Sequence, residues 1–248
     1  TELAPVSNII DSTIWAKAGA VGIAGVTEEL DGSTISAATN LTVTGNWIVG
    51  SSLIAENGLL DVTAETIDGS ELLSKNGDVT VEAYRIIGSS VTAIDSDNAG
   101  LVGNVDIGAE EIIGSDIVAY TDLTMDVYEI ENSTLTAYNT IDLTAEYVDN
   151  VNVFANKGIT AEVTEELYGG EWTVYDGDIT VDAYMISGTE FTAWGTVDLA
   201  TDEFIINAGV AALAGEAILT AGTDIIGTTV TSDDNSTLTA TAGLISGT

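Results

Sequence analysis

The chain lacks the two residue types on which most enzyme sites and transition-metal centres depend. Its 248 residues include no histidine and no cysteine. Serine–histidine triads, thiol nucleophiles, disulfide bonds and zinc sites of the usual composition are therefore excluded. Without cysteine, the sequence carries no mark of an oxidising or reducing compartment. We expect a non-enzymatic protein with no catalytic residues and no organic cofactor.

Basic residues, proline and long apolar runs are also scarce. Four Lys and Arg residues stand against 40 Asp and Glu, a formal charge of −36. Such a surface repels nucleic-acid phosphates and anionic lipids. No apolar run reaches the roughly 18 to 20 residues that span a bilayer. We therefore expect no nucleic-acid partner and no membrane span, and we expect partners among cations, polysaccharides or copies of the chain itself.

What the sequence does contain is a short repeat. Apolar anchors recur at spacings of 18 to 21 residues, with one spacing of 26. A period near 19 that is held over twelve copies is typical of a repeat protein. The anchors are Ile14, Ile35, Leu53, Leu72, Val91, Ile117, Leu135, Val153, Trp172, Phe191, Val210 and Val230.

A second row marks a corner in every copy. The residue three before each anchor is Gly, Asn or Asp, the types that enter left-handed backbone conformations at least cost. The residue five before each anchor is aliphatic, for example Ile67 and Ile130. The corner row comprises Asp11, Gly32, Gly50, Gly69, Gly88, Gly114, Asn132, Asn150, Gly169, Gly188, Asn207 and Gly227.

Between corners, apolar and polar residues alternate, as in a β-strand with one buried face. A unit this small buries its apolar face only by stacking on its neighbours. We predict an all-β, right-handed parallel β-solenoid of about 12 to 13 coils, as one domain over residues 1–248. A loop insertion is expected at residues 94–108, where the long spacing falls. An antiparallel blade or meander has the same alternation, but it needs two chain reversals per unit.

The repeat resembles the haemagglutinin repeat of filamentous-haemagglutinin-type secreted adhesins. The resemblance is carried by residues 132–137 (NSTLTA) and by the variants at 50–55 (GSSLIA) and 188–193 (GTEFTA), and it extends over roughly residues 9–248. That family builds long right-handed β-helices on bacterial surfaces. The resemblance implies a secreted structural protein at the cell surface, such as the shaft of an adhesin.

Oxygen-donor side chains cluster in the insertion. Asp95, Asp97 and Asn98, with Asp106 nearby, are ligands of the kind that calcium prefers, although their spacing matches no defined calcium loop. We therefore retain a weak Ca²⁺ site as a hypothesis. The other reading is a solvated acidic surface that any cation stabilises by relieving charge repulsion.

Aromatic residues form two outward-facing rows, which suit sugar binding, rod packing or simple shielding of the strands beneath. The first row, three after the anchors, comprises Tyr120, Tyr138, Tyr175 and Trp194, and the second, twelve after the anchors, comprises Tyr84, Tyr147 and Tyr184. Three Asn-x-Ser/Thr sequons are candidate glycosylation sites. Their acceptors are Asn40, Asn132 and Asn235.

The ends of the repeat suggest self-assembly. Residues 1–8 precede the first complete unit, and the sequence given stops in the corner of a thirteenth copy. We expect head-to-tail stacking into an extracellular filament, through a heterologous contact that does not close. The alternatives are a polysaccharide-acting β-helix enzyme and a cation-binding surface protein of a saline habitat. The expected assembly residues are Thr1, Leu3, Val6, Ile245, Gly247 and Thr248.

Overall fold

The computed structural model describes residues 2–3, 5–96 and 103–247, with side chains from residue 5 onward. These residues form parallel strands stacked as a β-solenoid of about 12 turns with a period near 19 residues. The predicted fold class is confirmed. The described residues contain no helix, and so none with the length and apolarity needed to traverse a lipid bilayer.

The chain divides into two compact units, residues 1–127 and 128–248, and the expectation of a single domain stays a prediction. The strands of unit 1 are β1 Glu2–Leu3, β2 Val6–Ile10, β3 Thr13–Ala16, β4 Val21–Asp31, β5 Thr34–Ala37, β6 Leu41–Val49, β7 Ser52–Ala55, β8 Leu60–Asp68, β9 Glu71–Ser74, β10 Val79–Ile87, β11 Ser90–Ala93, β12 Val105–Ile113 and β13 Asp116–Ala119. Strand β14, Leu123–Glu131, contains the boundary between the units.

The remaining strands belong to unit 2. They are β15 Thr134–Ala137, β16 Thr140–Asp149, β17 Asn152–Ala155, β18 Gly158–Tyr168, β19 Glu171–Val174, β20 Asp178–Ser187, β21 Glu190–Ala193, β22 Val197–Thr201, β23 Ile205–Ile206, β24 Gly209–Ala212, β25 Ala217–Ala221, β26 Ile225–Ile226, β27 Thr229–Ser232, β28 Ser236–Ala240 and β29 Ile245–Ser246.

Each turn consists of one short strand and one long strand. In unit 1, the short strand β9 pairs in parallel with β7 and β11, and the long strand β10 pairs with β8 and β12. In unit 2, β17 pairs with β15 and β19, and β18 pairs with β16 and β20. Because equivalent residues of successive turns are register partners, each unit consists of ladders of like residues.

The core of each unit is built from these ladders. In unit 1, Leu53, Leu72 and Val91 are register partners in successive turns and are fully buried. Burial of one such side chain stabilises the fold by roughly 1.5 to 3 kcal/mol. The first and last anchors, Ile14 and Val230, are only half-buried, because each has a single described partner turn. The other ten anchors are buried.

The predicted corner is present in every copy. All twelve residues of the corner row have positive φ, between 47° and 69°. Four of them, Asp11, Asn132, Asn150 and Asn207, are not glycine. Asn and Asp accept the left-handed region more readily than other residues with a Cβ. The corner residue therefore directs the chain from each long strand into the next short strand.

The long strands bend where their alternation changes phase. In β8, Leu60, Val62 and Ala64 are buried, and the next buried residue is Ile67. The long strand thus has two straight parts, one on each side of the bend. With the short strand, a turn contains three straight segments. In the turn that contains β22 and β23, the long strand is interrupted at this bend, between Thr201 and Ile205.

The predicted loop insertion at residues 94–108 is too long at its carboxyl end. Residues 105–108 belong to β12, where Val105 and Ile107 are buried as register partners of Val79 and Val81. The apolar alternation of the strand thus begins earlier than the spacing of the anchors indicates. Residues 97–102 lie outside the described part of the chain.

Candidate functional site

Carboxylates and tyrosines line a notch on the long-strand face of unit 2. Tyr147 is the register partner of Glu166, and Asp149 is the register partner of Tyr168. The rings of Tyr128 and Tyr147 contact edge to face, with centroids 5.7 Å apart. We call this surface the acidic notch. Its lining residues are Glu129, Glu131, Tyr147, Val148, Asp149, Glu166 and Tyr168.

The electrostatics of this face favour cations. The negative charge of Glu165 raises the pKa of the Tyr147 phenol above its ordinary value, with a smaller contribution from burial. A hydrogen bond to Glu203 raises the pKa of Tyr184 in the same direction. No basic side chain is among the residues that line the acidic notch. The notch can therefore attract a cationic group.

Acid–base catalysis in the acidic notch would need two carboxyl groups with different proton affinities. Burial raises the pKa of the Asp198 carboxyl, but Asp198 lies in β22, outside the notch. Arg85, the only arginine of the chain, belongs to unit 1 and forms an ion pair with Glu111. The described residues thus do not place a basic group beside the clustered carboxylates.

A second notch opens at the end of the short strands of unit 2. Tyr138 and Tyr175 follow β15 and β19, and Asn156 follows β17, the strand between them. Phe154 lies on the outward side of β17 and is half-buried. We call this surface the tyrosine notch. Its lining residues are Thr136, Ala137, Tyr138, Phe154, Ala155, Asn156 and Tyr175, none of them charged.

The structure places the two aromatic rows on the outer surface, with differences in exposure. Tyr138, Tyr175 and Trp194 of the first row are exposed, whereas Tyr120, in unit 1, is half-buried and lies close to Gly103. In the second row, Tyr84 and Tyr184 are exposed and Tyr147 is half-buried. The tyrosine notch therefore combines members of the first row, and the acidic notch contains a member of the second.

The hypothetical calcium ligands are only partly described. Asp97 and Asn98 lie outside the described residues. Asp95, which follows β11, is buried and forms an isolated antiparallel β-bridge with Asn76. Asp106 is exposed in β12, where its register partner is Thr80. Within residues 5–96 and 103–247, no group of three or more acidic side chains is placed to hold a metal ion. The calcium site stays a prediction.

The expected assembly residues occupy the outermost described strands. Leu3, in β1, pairs with Ile23 of β4, and Val6, in β2, pairs with Val26 of β4. At the other end, Ile245 pairs with Ile225 and is exposed, and Gly247 has a φ of 67°. Thr1 and Thr248 lie outside the described residues. Strands β1 and β2 thus both pair with β4 of their own chain.

The three sequon acceptors are exposed, and each accepts or donates a hydrogen bond. Asn40 Oδ1 accepts the backbone N–H of Leu59 at 3.1 Å. Asn132 Oδ1 accepts Asn150 Nδ2–H at 2.9 Å, and Asn235 Nδ2–H donates to Glu216 at 3.4 Å. Glycosylation at these positions remains a prediction.

The sequence reasoning missed a buried ladder of serine hydroxyls in unit 1. The ladder occupies the position after each corner, where a run of serines in the repeat was a readable signal. The N–H of each serine from Ser12 to Ser89 donates to the hydroxyl of the serine in the next turn, at 3.0 to 3.3 Å. The hydroxyls donate to the carbonyl two residues earlier, at 2.8 to 3.1 Å. The ladder comprises half-buried Ser12 and the buried residues Ser33, Ser51, Ser70, Ser89 and Ser115.

Comparison with known proteins identifies no relative. No family model matches the chain. No curated protein matches it. No solved structure matches it. The resemblance to the haemagglutinin repeat therefore rests on the repeat residues themselves.

Proposed function

We propose that this chain is a structural, non-enzymatic protein of the cell surface, either the subunit of a head-to-tail filament or the shaft of an adhesin. The observation that carries the proposal is the repetition of one turn in register, with the same corner in every copy. A repeat of this kind supplies length and a uniform surface. The resemblance to the haemagglutinin repeat supports the extracellular location.

The outermost strands supply a means of extension. In the described residues, β28 pairs with β25 on one side, and β2 pairs with β4 on one side. Such edges present backbone N–H and C=O groups that template a further strand. Among the described residues, Leu238 has one register partner, Leu219; it is half-buried and offers apolar surface to another turn. A second copy that stacks there continues both the ladder and the sheet.

The charge of the chain makes this assembly depend on salt. Two copies that each carry −36 repel one another at low ionic strength. At about 0.15 M salt, charges separated by more than roughly 8 Å are largely screened. We therefore expect single molecules in dilute buffer and longer assemblies at physiological salt.

The test is sedimentation velocity at low and physiological salt for the wild type, Leu238→Lys and Thr239→Lys. Leu238→Lys introduces a charge at the open end of the ladder, and we expect it to abolish salt-induced assembly. Thr239→Lys makes the same charge change at the next, exposed residue and serves as the control. Assembly that is equal in all three proteins, or absent in the wild type at every concentration, contradicts the filament.

The acidic notch favours a second candidate function, the binding of cations at the cell surface. Glu129, Glu131, Asp149 and Glu166 line it, and no basic side chain is among its lining residues. The attraction is that of a negatively charged surface for cations and not of a coordination site, since no group of three or more acidic side chains among the described residues is placed to hold a metal ion. Calcium at constant ionic strength then raises the thermal midpoint of the wild type more than that of Glu131→Gln/Glu166→Gln. An equal rise of the thermal midpoint in both proteins would show general screening of charge and would contradict cation binding in the acidic notch.

A further inference from the structure

We propose that the tyrosine notch is a binding site for a neutral polysaccharide. The inference goes beyond the structural role proposed above and does not depend on filament formation. It rests on three properties of the notch: the spacing of its two tyrosines, the amide between them, and the absence of charge in its lining.

The spacing of the tyrosines leaves room for one ring. Tyr138 and Tyr175 lie two turns apart, because the turn that carries Asn156 lies between them. At about 4.8 Å per turn, the two tyrosines are separated by about 9.6 Å along the stack. A saturated sugar ring placed between the two tyrosines makes a van der Waals contact of about 3.5 to 4.0 Å with each of them. These two contacts and the thickness of the ring together fill a gap of that size.

The side chains of the notch match the two kinds of surface on a sugar. The tyrosines are 62% and 64% exposed, so more than half of each side chain faces solvent. With half-buried Phe154, they offer apolar surface to the C–H face of a pyranose. Asn156 is exposed at the base, and its amide both donates and accepts, as vicinal hydroxyl groups require.

Charge selects a neutral ligand. None of the seven lining residues is an Asp, Glu, Lys or Arg, although the chain carries 40 acidic residues. The adjacent charged residues, Lys157 and Asp176, form an ion pair with each other. An anionic polysaccharide is repelled by the net charge of the protein, and a cationic one gains more at the acidic notch. A neutral chain encounters neither effect.

The site has room to extend along the row. Trp194 follows β21, the short strand after β19, and is exposed like Tyr175. The backbone N–H of Tyr175 donates to Ala155 O, and that of Trp194 donates to Val174 O, so the row keeps its register from turn to turn. A polymer that lies along the stack therefore meets three exposed aromatic side chains in succession.

The experiment is native gel electrophoresis in gels that contain hydroxyethylcellulose, galactomannan or soluble starch, with polygalacturonate as the anionic comparison. The Leu238→Lys background keeps the protein unassembled, so a failure of binding and a failure of filament formation are observed separately. We expect at least one neutral polysaccharide to retard the protein and polygalacturonate to have no effect. Retardation by none of the three, or equal retardation by polygalacturonate, overturns the proposal.

Variants locate the site. Tyr175→Ala and Asn156→Ala are expected to weaken retardation about tenfold, since they remove a stacked ring and the paired amide. Tyr175→Phe keeps the ring and is expected to bind nearly as well as the wild type. Tyr84→Ala, which removes a comparably exposed tyrosine from unit 1, is the matched control. A loss of binding in Tyr84→Ala equal to that in Tyr175→Ala contradicts the assignment.

Discussion

Units 1 and 2 form the same turn with different interiors. In unit 1, the position after the corner is serine from Ser12 to Ser115, and the hydroxyls form a hydrogen-bonded ladder. In unit 2, the same position changes from turn to turn: Ser133, Thr189 and Thr228 keep a buried hydroxyl there, whereas Val151 and Ala208 are buried apolar residues. The fold therefore tolerates either a polar or an apolar rung at this position, provided that each rung finds its partners.

The interiors of the two units differ in their buried hydrogen bonds and in the size of their buried side chains. A buried hydroxyl is acceptable in unit 1 because it both donates and accepts within the ladder. Unit 2 also differs at its anchors: Trp172 and Phe191 are fully buried and contact edge to face, with ring centroids 5.7 Å apart. The turn that carries Trp172 has Gly170 after its corner, where a Cβ would lie 2.1 Å from Val151 O. The turn with the largest anchor, Trp172, thus has the smallest residue, Gly170, at the position after its corner.

The largest expected effect is at the aromatic pair of unit 2. Trp172→Ala removes a fully buried indole and its contact with Phe191, and we expect it to lower the free energy of unfolding by about 3 to 5 kcal/mol. Urea denaturation measures the change. Trp172→Phe is expected to lower it less, because the indole N–H has no hydrogen-bond acceptor among the described residues. Equal losses in the two variants would contradict the volume argument.

The next effect is at the serine ladder of unit 1. Ser70→Ala removes the acceptor of the buried Ser51 N–H, and we expect a loss of about 1 to 3 kcal/mol in the free energy of unfolding. Ser90→Ala, on the outward side of β11, is the control and should change it by less than about 0.5 kcal/mol. In unit 2, Ala208→Ser tests the reverse change. A stabilising Ser70→Ala would show that the ladder is dispensable.

A smaller effect is expected at Asp198 of unit 2. Burial raises the pKa of its carboxyl in the folded state, so its contribution to stability is present at acid pH and is lost as pH rises through the raised pKa. Asp198→Asn should therefore raise the thermal midpoint at pH 7 and leave it nearly unchanged at acid pH. Asp182→Asn, at an exposed position of β20, is the control. A lower midpoint at pH 7 in Asp198→Asn would refute this account.

The smallest expected effect concerns the ionisation of Tyr147. Because Glu165 raises the pKa of this phenol, Glu165→Gln should lower it towards its ordinary value. The raised pKa favours the folded state below the ordinary tyrosine pKa, and this stability is lost as pH rises through the raised value. Ultraviolet titration of the tyrosines measures the shift, with Glu171→Gln as a charge-matched control. An unchanged titration in Glu165→Gln would remove Glu165 as the cause.

The fold was predictable because its signals recur. The corner row follows from residue type, since Gly, Asn and Asp share access to positive φ, and the anchors follow from apolar spacing. The serine ladder was not predicted, although Ser51, Ser70 and Ser89 stand in register in the sequence. Serine after a corner is also ordinary turn chemistry, so its burial depends on how the bend of the long strand closes the turn.

The notches were less accessible to sequence reasoning. The spacing of the repeat revealed the row that contains Tyr138 and Tyr175. The depth of the tyrosine notch, however, depends on Asn156, a short residue between the two tyrosines. The acidic notch requires knowing that Tyr147 and Glu166 are register partners, although they lie at different distances after their anchors. The shift follows an irregularity in register between Ala145 and Tyr147. A constant period does not reveal such a shift.

Fibre diffraction of the protein assembled at physiological salt tests the central claim most directly. If copies stack head to tail, the strands of every turn lie across the filament axis, and a repeat of about 4.8 Å appears along that axis. We expect this axial repeat in the wild type and no filaments from Leu238→Lys. Filaments whose 4.8 Å repeat runs across their axis, or no filaments at any salt concentration, would contradict the proposed stacking.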